Sequence, residues 1–293
     1  MKAIANAIRF LVFTNTYISI CLFCFTAKTS LMLYGTMGNM HVNALVFFST
    51  LFLYSFHKVY RRFRLLEEEH KEERHHWVDD RKKMYYIIIV FALVMAIIQL
   101  FYMPLRVLIM LVPVALIAAG YSIPFIKTSK GYIRIRDVLW LKALWIALSC
   151  AWLTTLLPVA FMYPLSYLKQ PQVLFLFAEN LLFIFVLAIP FDIRDVAYDK
   201  RNGVNTLPIL LGVKGVIKLC LALLGCFAVL VFFHYRYSGL SGCNAVVLVL
   251  SAIEAACFVS LCKPERPNLF FHLAIESAML LQWALIYLVL ALA

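Results

Sequence analysis

Apolar residues run along this chain in nine blocks, each near the ~20 residues that a helix needs to cross hydrocarbon. They fall at 8–26, 42–58, 84–102, 105–123, 139–158, 173–191, 213–233, 244–262 and 269–291. The second block is short and extends into the polar segment that follows it. Pro104 separates the third block from the fourth, and Gly131, Pro171, Gly239, Gly242, Pro264 and Pro267 mark other joints. The pattern predicts an all-α polytopic membrane protein, a single integral-membrane domain over residues 1–293 with nine transmembrane helices. Residues 1–27 resemble a signal peptide, with Lys2 and Arg9 ahead of an apolar run. The rest of the chain is equally apolar, so a retained first span is expected.

Charge placement tests the span count. With the N-terminus in the cytoplasm, all but four of the 27 Lys and Arg residues fall on the inner side. The four outside are Lys28, Arg106, Lys169 and Arg236. This asymmetry also accounts for the net charge of +12 without nucleic acid as a partner. The composition agrees, with 64% hydrophobic residues against about 45–50% in soluble domains and only 14% charged. The expected location is a multi-pass position in a bacterial inner (cell) membrane.

Seven of the 15 carboxylates lie between Glu67 and Asp80, inside a charged cytoplasmic connection at 59–83 that joins spans two and three. Its mixed i,i+4 pairs read as a solvated helical cap. His70, His75 and His76 could bind a metal there, but no second cluster supports this. Most of the eight cysteines sit in apolar runs, and Cys21-Leu22-Phe23-Cys24 lacks a partner pair, so they read as small buried residues. Asn15, Gln99, Glu179, Asn180, Glu254, Glu276 and Gln282 fall inside spans, where ionisable groups lean towards function. Glu276 either faces the interior or pairs with His272 at i,i+4, the pair being favoured.

Asp192, Asp195 and Asp199 stand at i, i+3 and i+7 directly after the sixth block, so a helix puts them on one face. A carboxylate row at the mouth of a membrane bundle needs a hard cation, a basic cluster or both. Carboxylate oxygens suit Mg2+, which neutralises a diphosphate and stabilises it as a leaving group. Arg194, Lys200 and Arg201 interleave with the row and could touch phosphate oxygens. Gly203 lets the chain turn after the helix, and Pro208 suits the first turn of the next one. The alternative is that the row only caps span six and pairs with its basic neighbours. The residues by themselves leave both readings open.

Asp192-x2-Asp195-x3-Asp199-x3-Gly203-x2-Thr206-x-Pro208, with Gly212 soon after, resembles the second aspartate-rich motif of the UbiA superfamily of intramembrane prenyltransferases. The motif segment spans 192–212, between spans six and seven, where that family carries it. Tyr121-Ser122-Ile123-Pro124-Phe125-Ile126-Lys127 is similar to the family's Tyr-Ser-x-Pro-x-x-Lys stretch. The resemblance implies a ring of nine helices around a central cavity, with a prenyl diphosphate held through Mg2+ between two aspartate motifs. It implies that Asp192, Asp195 and Asp199 are catalytic and bind the metal, and that Lys127 contacts the diphosphate, to which the neighbouring Arg194 adds a candidate contact of its own. The implied reaction transfers a polyprenyl group to a membrane-soluble acceptor, aromatic or a quinone precursor. Prenyl diphosphate, acceptor and membrane lipid are the implied partners, and no protein partner is indicated.

The chain departs from the family at the end of span two, where the first aspartate motif belongs. It reads Tyr54-Ser55-Phe56-His57-Lys58-Val59-Tyr60-Arg61-Arg62, without an aspartate. Three readings follow. Lys58, Arg61 and Arg62, at i, i+3 and i+4, neutralise the diphosphate without a second Mg2+; the site binds an isoprenoid or phospholipid without chemistry; or these cations anchor the span at anionic headgroups. A different class, an ion-coupled secondary transporter, would use Asp192, Asp195, Glu179 or Glu276 as ion sites. Such transporters commonly carry paired repeats, and no second copy of the Asp segment occurs.

Overall fold

The computed structural model describes residues 2–64, 81–122, 126–128, 131–133, 141–201 and 203–292. Eight of its helices are long and apolar enough to cross a membrane: Thr16–Tyr34, Met40–Val59, Lys82–Leu100, Lys142–Met162, Pro171–Arg194, Leu207–Tyr237, Gly242–Ser260 and Asn268–Leu292. A shorter apolar helix, Leu105–Tyr121, lies fourth in chain order and completes the nine expected spans. The second span continues as helix to Arg64, into the polar segment as its short apolar block required. The remainder of the charged connection, with its three histidines, lies outside the described residues.

Span one is corrected by the structure. The expected 8–26 is split by Asn15, which adopts a left-handed backbone (φ 63°) between a first helix, Lys2–Phe13, and a span that begins at Thr16. Asparagine is among the few residues that visit this region readily. Ile4, Phe10 and Leu11 of the first helix are exposed. The shift carries Lys28, expected outside the bundle, into the middle of a span that ends at the left-handed cap Gly35. Lys28 is completely buried.

The spans pack largely in chain order, with one against two, two against three, four against five, and then five through nine in sequence. Span nine returns to span one and closes the ring. Span one also crosses to the middle of span five. That contact coincides with a π-helical turn at Trp152–Leu156, and a second such turn, Phe271–Ile275, interrupts span nine. Such turns locally re-aim side chains and concentrate at functional sites. Gly212 (φ 69°) kinks the start of span seven. One hairpin adds to the helical plan, in which Ile126–Thr128 pairs antiparallel with Gly131–Ile133 between spans four and five. β-Branched residues at Ile126, Thr128 and Ile133 suit extended backbone.

Candidate active site at the Asp-row face

Span six ends at Arg194, and the chain bends at Asp195 before a short helix, Val196–Arg201. Backbone bonds from Asp195 to Phe191 and from Asp199 to Asp195 keep the helical register across the bend. The three carboxylates therefore stay together on one side, as the i, i+3, i+7 spacing requires. Gly203 (φ 65°) then reverses the chain into the turn before span seven. Asp192, Asp195 and Asp199 are all buried, at 1%, 6% and 6% exposure.

Buried carboxylates need compensating charge, and among the described residues Lys142 and Arg194 supply it. Lys142 Nζ lies 2.6 Å from Asp192 Oδ1. Arg194 grips Asp195 with a two-pronged fork, Nε to Oδ1 at 2.8 Å and Nη2 to Oδ2 at 3.0 Å. The Arg194 guanidinium also lies 5.1 Å from the Phe191 ring and 5.9 Å from that of Phe271. Asp192 Oδ2 and the hydroxyl of Thr206 are buried with no hydrogen-bond partner among the described residues.

Span nine brings a further acidic group to this region. Glu276 Oε1 pairs with His272 Nδ1 at 3.0 Å, the favoured i,i+4 pair, while Glu276 Oε2 is buried without a hydrogen-bond partner. His272 belongs to the π-turn of span nine, and its ring centroid lies 5.3 Å from that of Phe191. Phe191 thus stands between Arg194 and His272. Tyr17 and Tyr54 both lie within electrostatic reach of Glu276, and Tyr54 also of Tyr121.

The other candidate cations are distributed differently. Lys58 Nζ donates to the backbone oxygen of Phe13 at 2.7 Å, at the end of the first helix, and the Tyr85 hydroxyl donates to the same oxygen. Arg61 and Arg62 continue the helix of span two, but their side chains lie outside the described residues. Lys127 sits on the hairpin opposite Tyr132, and its side chain is likewise not described. Sequence reasoning missed Lys142, counted only as one more inner cation. Its one signal was its place at the mouth of span five.

Hard carboxylate oxygens, one of them the unpartnered Asp192 Oδ2, fit Mg2+ in chemical type. Among the described residues no three His, Cys, Asp or Glu side chains converge on one metal position. Asp192, Asp195 and Asp199 supply oxygens of that type but do not form such a group in this arrangement.

A second polar cluster lies deeper. Lys28 Nζ donates to Asn180 Oδ1 at 2.6 Å and Gln282 Oε1 at 2.8 Å, and sits 3.9 Å from the centre of the Phe25 ring. Asn180 Nδ2 donates to Thr155 Oγ1 at 2.7 Å, and Gln282 Nε2 to Ser251 Oγ at 2.8 Å. Beside it Glu179 pairs with His234 at 2.8 Å.

The profile of the UbiA prenyltransferase family matches residues 79–291. No curated protein sequence matches the chain. A UbiA homolog from Archaeoglobus fulgidus, solved bound to GPP and Mg2+, is similar in fold with a TM-score of 0.67 at 11% identity, covering 97% of this chain and 99% of its own. A UbiA homolog from Aeropyrum pernix K1 in its apo state gives 0.60 at 14% identity, covering 90% and 95%. A structure of digeranylgeranylglyceryl phosphate synthase gives 0.54 at 17% identity, covering 100% and 98%. With the family profile spanning most of the chain and the nine-span ring reproduced, this protein belongs to the UbiA prenyltransferase family.

Proposed function

We propose that this chain is a Mg2+-dependent intramembrane prenyltransferase that moves a polyprenyl group from its diphosphate to a lipid-soluble acceptor, aromatic or a quinone precursor. Its Asp-row face is cytoplasmic, in a bacterial inner membrane. The observation that carries the reading is the row itself, three buried carboxylates at a helix end with Asp192 Oδ2 left without a partner. The family assignment and a relative bound to DMAPP and Mg2+ support the same chemistry.

In this reading Asp192, Asp195 and Asp199 hold the metal, which when bound supplies positive charge to the departing diphosphate. Arg194 orients Asp195 through its fork, and Lys127 contacts the diphosphate. The carbon–oxygen bond to the diphosphate breaks with its electron pair leaving on oxygen, and the acceptor's nucleophilic atom forms the new bond to carbon. The acceptor's proton passes to Glu276, whose free oxygen faces no competing hydrogen-bond donor among the described residues.

Formation of a prenylated lipid from labelled farnesyl or geranylgeranyl diphosphate, assayed with a set of quinone-precursor acceptors, tests the proposal. Transfer that EDTA abolishes supports it. Saturable diphosphate binding without transfer would favour a noncatalytic isoprenoid-binding member. The absence of any aspartate from His57 to Arg62 is the observation that favours that second reading.

A further inference from the structure

We propose that Lys142 is the fixed counter-charge of the diphosphate subsite, donating directly to a phosphate oxygen and sharing the neutralisation that the metal would otherwise carry alone. The inference rests on the prenyl-diphosphate reading of the Asp row and assigns a substrate-binding role that the family motifs do not contain.

Donor capacity sets Lys142 apart. An ammonium has three N–H donors, and Lys142 spends one on Asp192 Oδ1. Its side chain is 16% exposed while that of Asp192 is 2% exposed, so the lysine is the member of the pair that reaches the open side. It lies within electrostatic reach of Asp192, Tyr121, Asp195 and Asp199 alike. Its contact is with Asp192, and the charges of Asp195 and Asp199 act on it in addition.

The other cation in the row is committed differently. Arg194 places both prongs on Asp195 and stacks by Phe191 and Phe271. Across the site, the end of span two offers no carboxylate to share a metal, and Lys58 caps the first helix. The Lys142–Asp192 pair thus presents two complementary surfaces. Asp192 Oδ2 is buried without a hydrogen-bond partner and suits a metal. Lys142 Nζ suits a phosphate oxygen.

This arrangement has an electrostatic signature that a purely structural ion pair lacks. Lys142 attracts a diphosphate when no metal is present and repels a divalent cation when no diphosphate is present. Removing it changes the two affinities in opposite directions.

The test uses the purified full-length protein in detergent and farnesyl thiodiphosphate, an analogue that resists ionisation. Its binding is measured in EDTA and in Mn2+, and Mn2+ binding alone is followed by electron paramagnetic resonance. The wild-type protein is expected to bind the analogue in EDTA. Lys142→Met is expected to weaken that binding by about tenfold or more, Lys142→Arg to retain most of it, and Lys142→Met to bind Mn2+ alone more tightly. Unchanged analogue binding in Lys142→Met, or weaker Mn2+ binding, overturns the proposal. Wild-type binding that requires Mn2+ overturns it while leaving the prenyl-diphosphate reading intact. No binding under either condition overturns both.

Discussion

Lys28 and Asp192 are both buried ionisable groups in one helical bundle, on levels separated by the three turns of span six between Asn180 and Asp192, ~18 Å at 1.5 Å per residue. Around Lys28 the hydrogen bonds of the ammonium and of the two amides close on themselves, and a loose end beside them is Glu179 Oε2, buried without a hydrogen-bond partner among the described residues. The ammonium meets two amide oxygens, and both amide nitrogens go on to hydroxyls on other helices. Around Asp192 they do not close, and Asp192 Oδ2, Thr206 Oγ1 and Glu276 Oε2 are buried without hydrogen-bond partners among the described residues. A closed network in a low-dielectric interior fixes one arrangement, whereas an open one costs stability and is kept where a ligand completes it. The Lys28 cluster ties spans one, five, six, eight and nine together, and the Asp row is the site we propose.

The contrast is sharpest in variants that should separate activity from stability. Asp195→Asn should lower transfer by roughly 10²–10³-fold, the usual cost of losing one preorganised electrostatic group. Its thermal stability in detergent should fall only in part, since the amide oxygen still accepts one prong of the Arg194 fork while the amide N–H faces the other. Lys28→Ala should do the reverse, because it leaves Asn180 Oδ1 and Gln282 Oε1 buried without their donor. A loss of about 3–5 kcal/mol in unfolding free energy is expected, with analogue binding by the remaining folded protein unchanged. If Lys28→Ala instead loses binding at full stability, the deep cluster belongs to the site.

Smaller effects refine the boundary of the open cluster. Glu276→Gln should lower transfer by about 10²-fold while farnesyl thiodiphosphate still binds, and equal transfer by the variant would remove Glu276 as the proton acceptor. Thr206→Val removes a buried hydroxyl without a partner, so stability should rise or hold within about 1 kcal/mol. A loss of diphosphate affinity in that stable variant would place the hydroxyl on the ligand.

The span count and the Asp row were legible because each depends on local pattern. Hydrocarbon thickness sets block length, and helical period sets the shared face of Asp192, Asp195 and Asp199. The first boundary was not legible, because the apolar residues of the first helix run on into span one. Only the backbone reversal at Asn15 separates them. That boundary decided whether Lys28 was an outer-loop cation or the centre of the bundle. The Lys142–Asp192 pair was hidden for a different reason, since its members lie on different spans and local periodicity does not report which spans meet. The His272–Glu276 pair lies within one helix and was readable from its i,i+4 spacing.

The central claim is that the open cluster, and not the closed one, carries chemistry. Release of inorganic diphosphate from geranylgeranyl diphosphate in the presence of quinone-precursor acceptors, measured for the wild-type and Asp195→Asn proteins with Mg2+ and with EDTA, tests it most directly. The account predicts release by the wild type that requires Mg2+ and is lost in an Asp195→Asn protein that remains folded at the assay temperature. Equal release by the two proteins would contradict it.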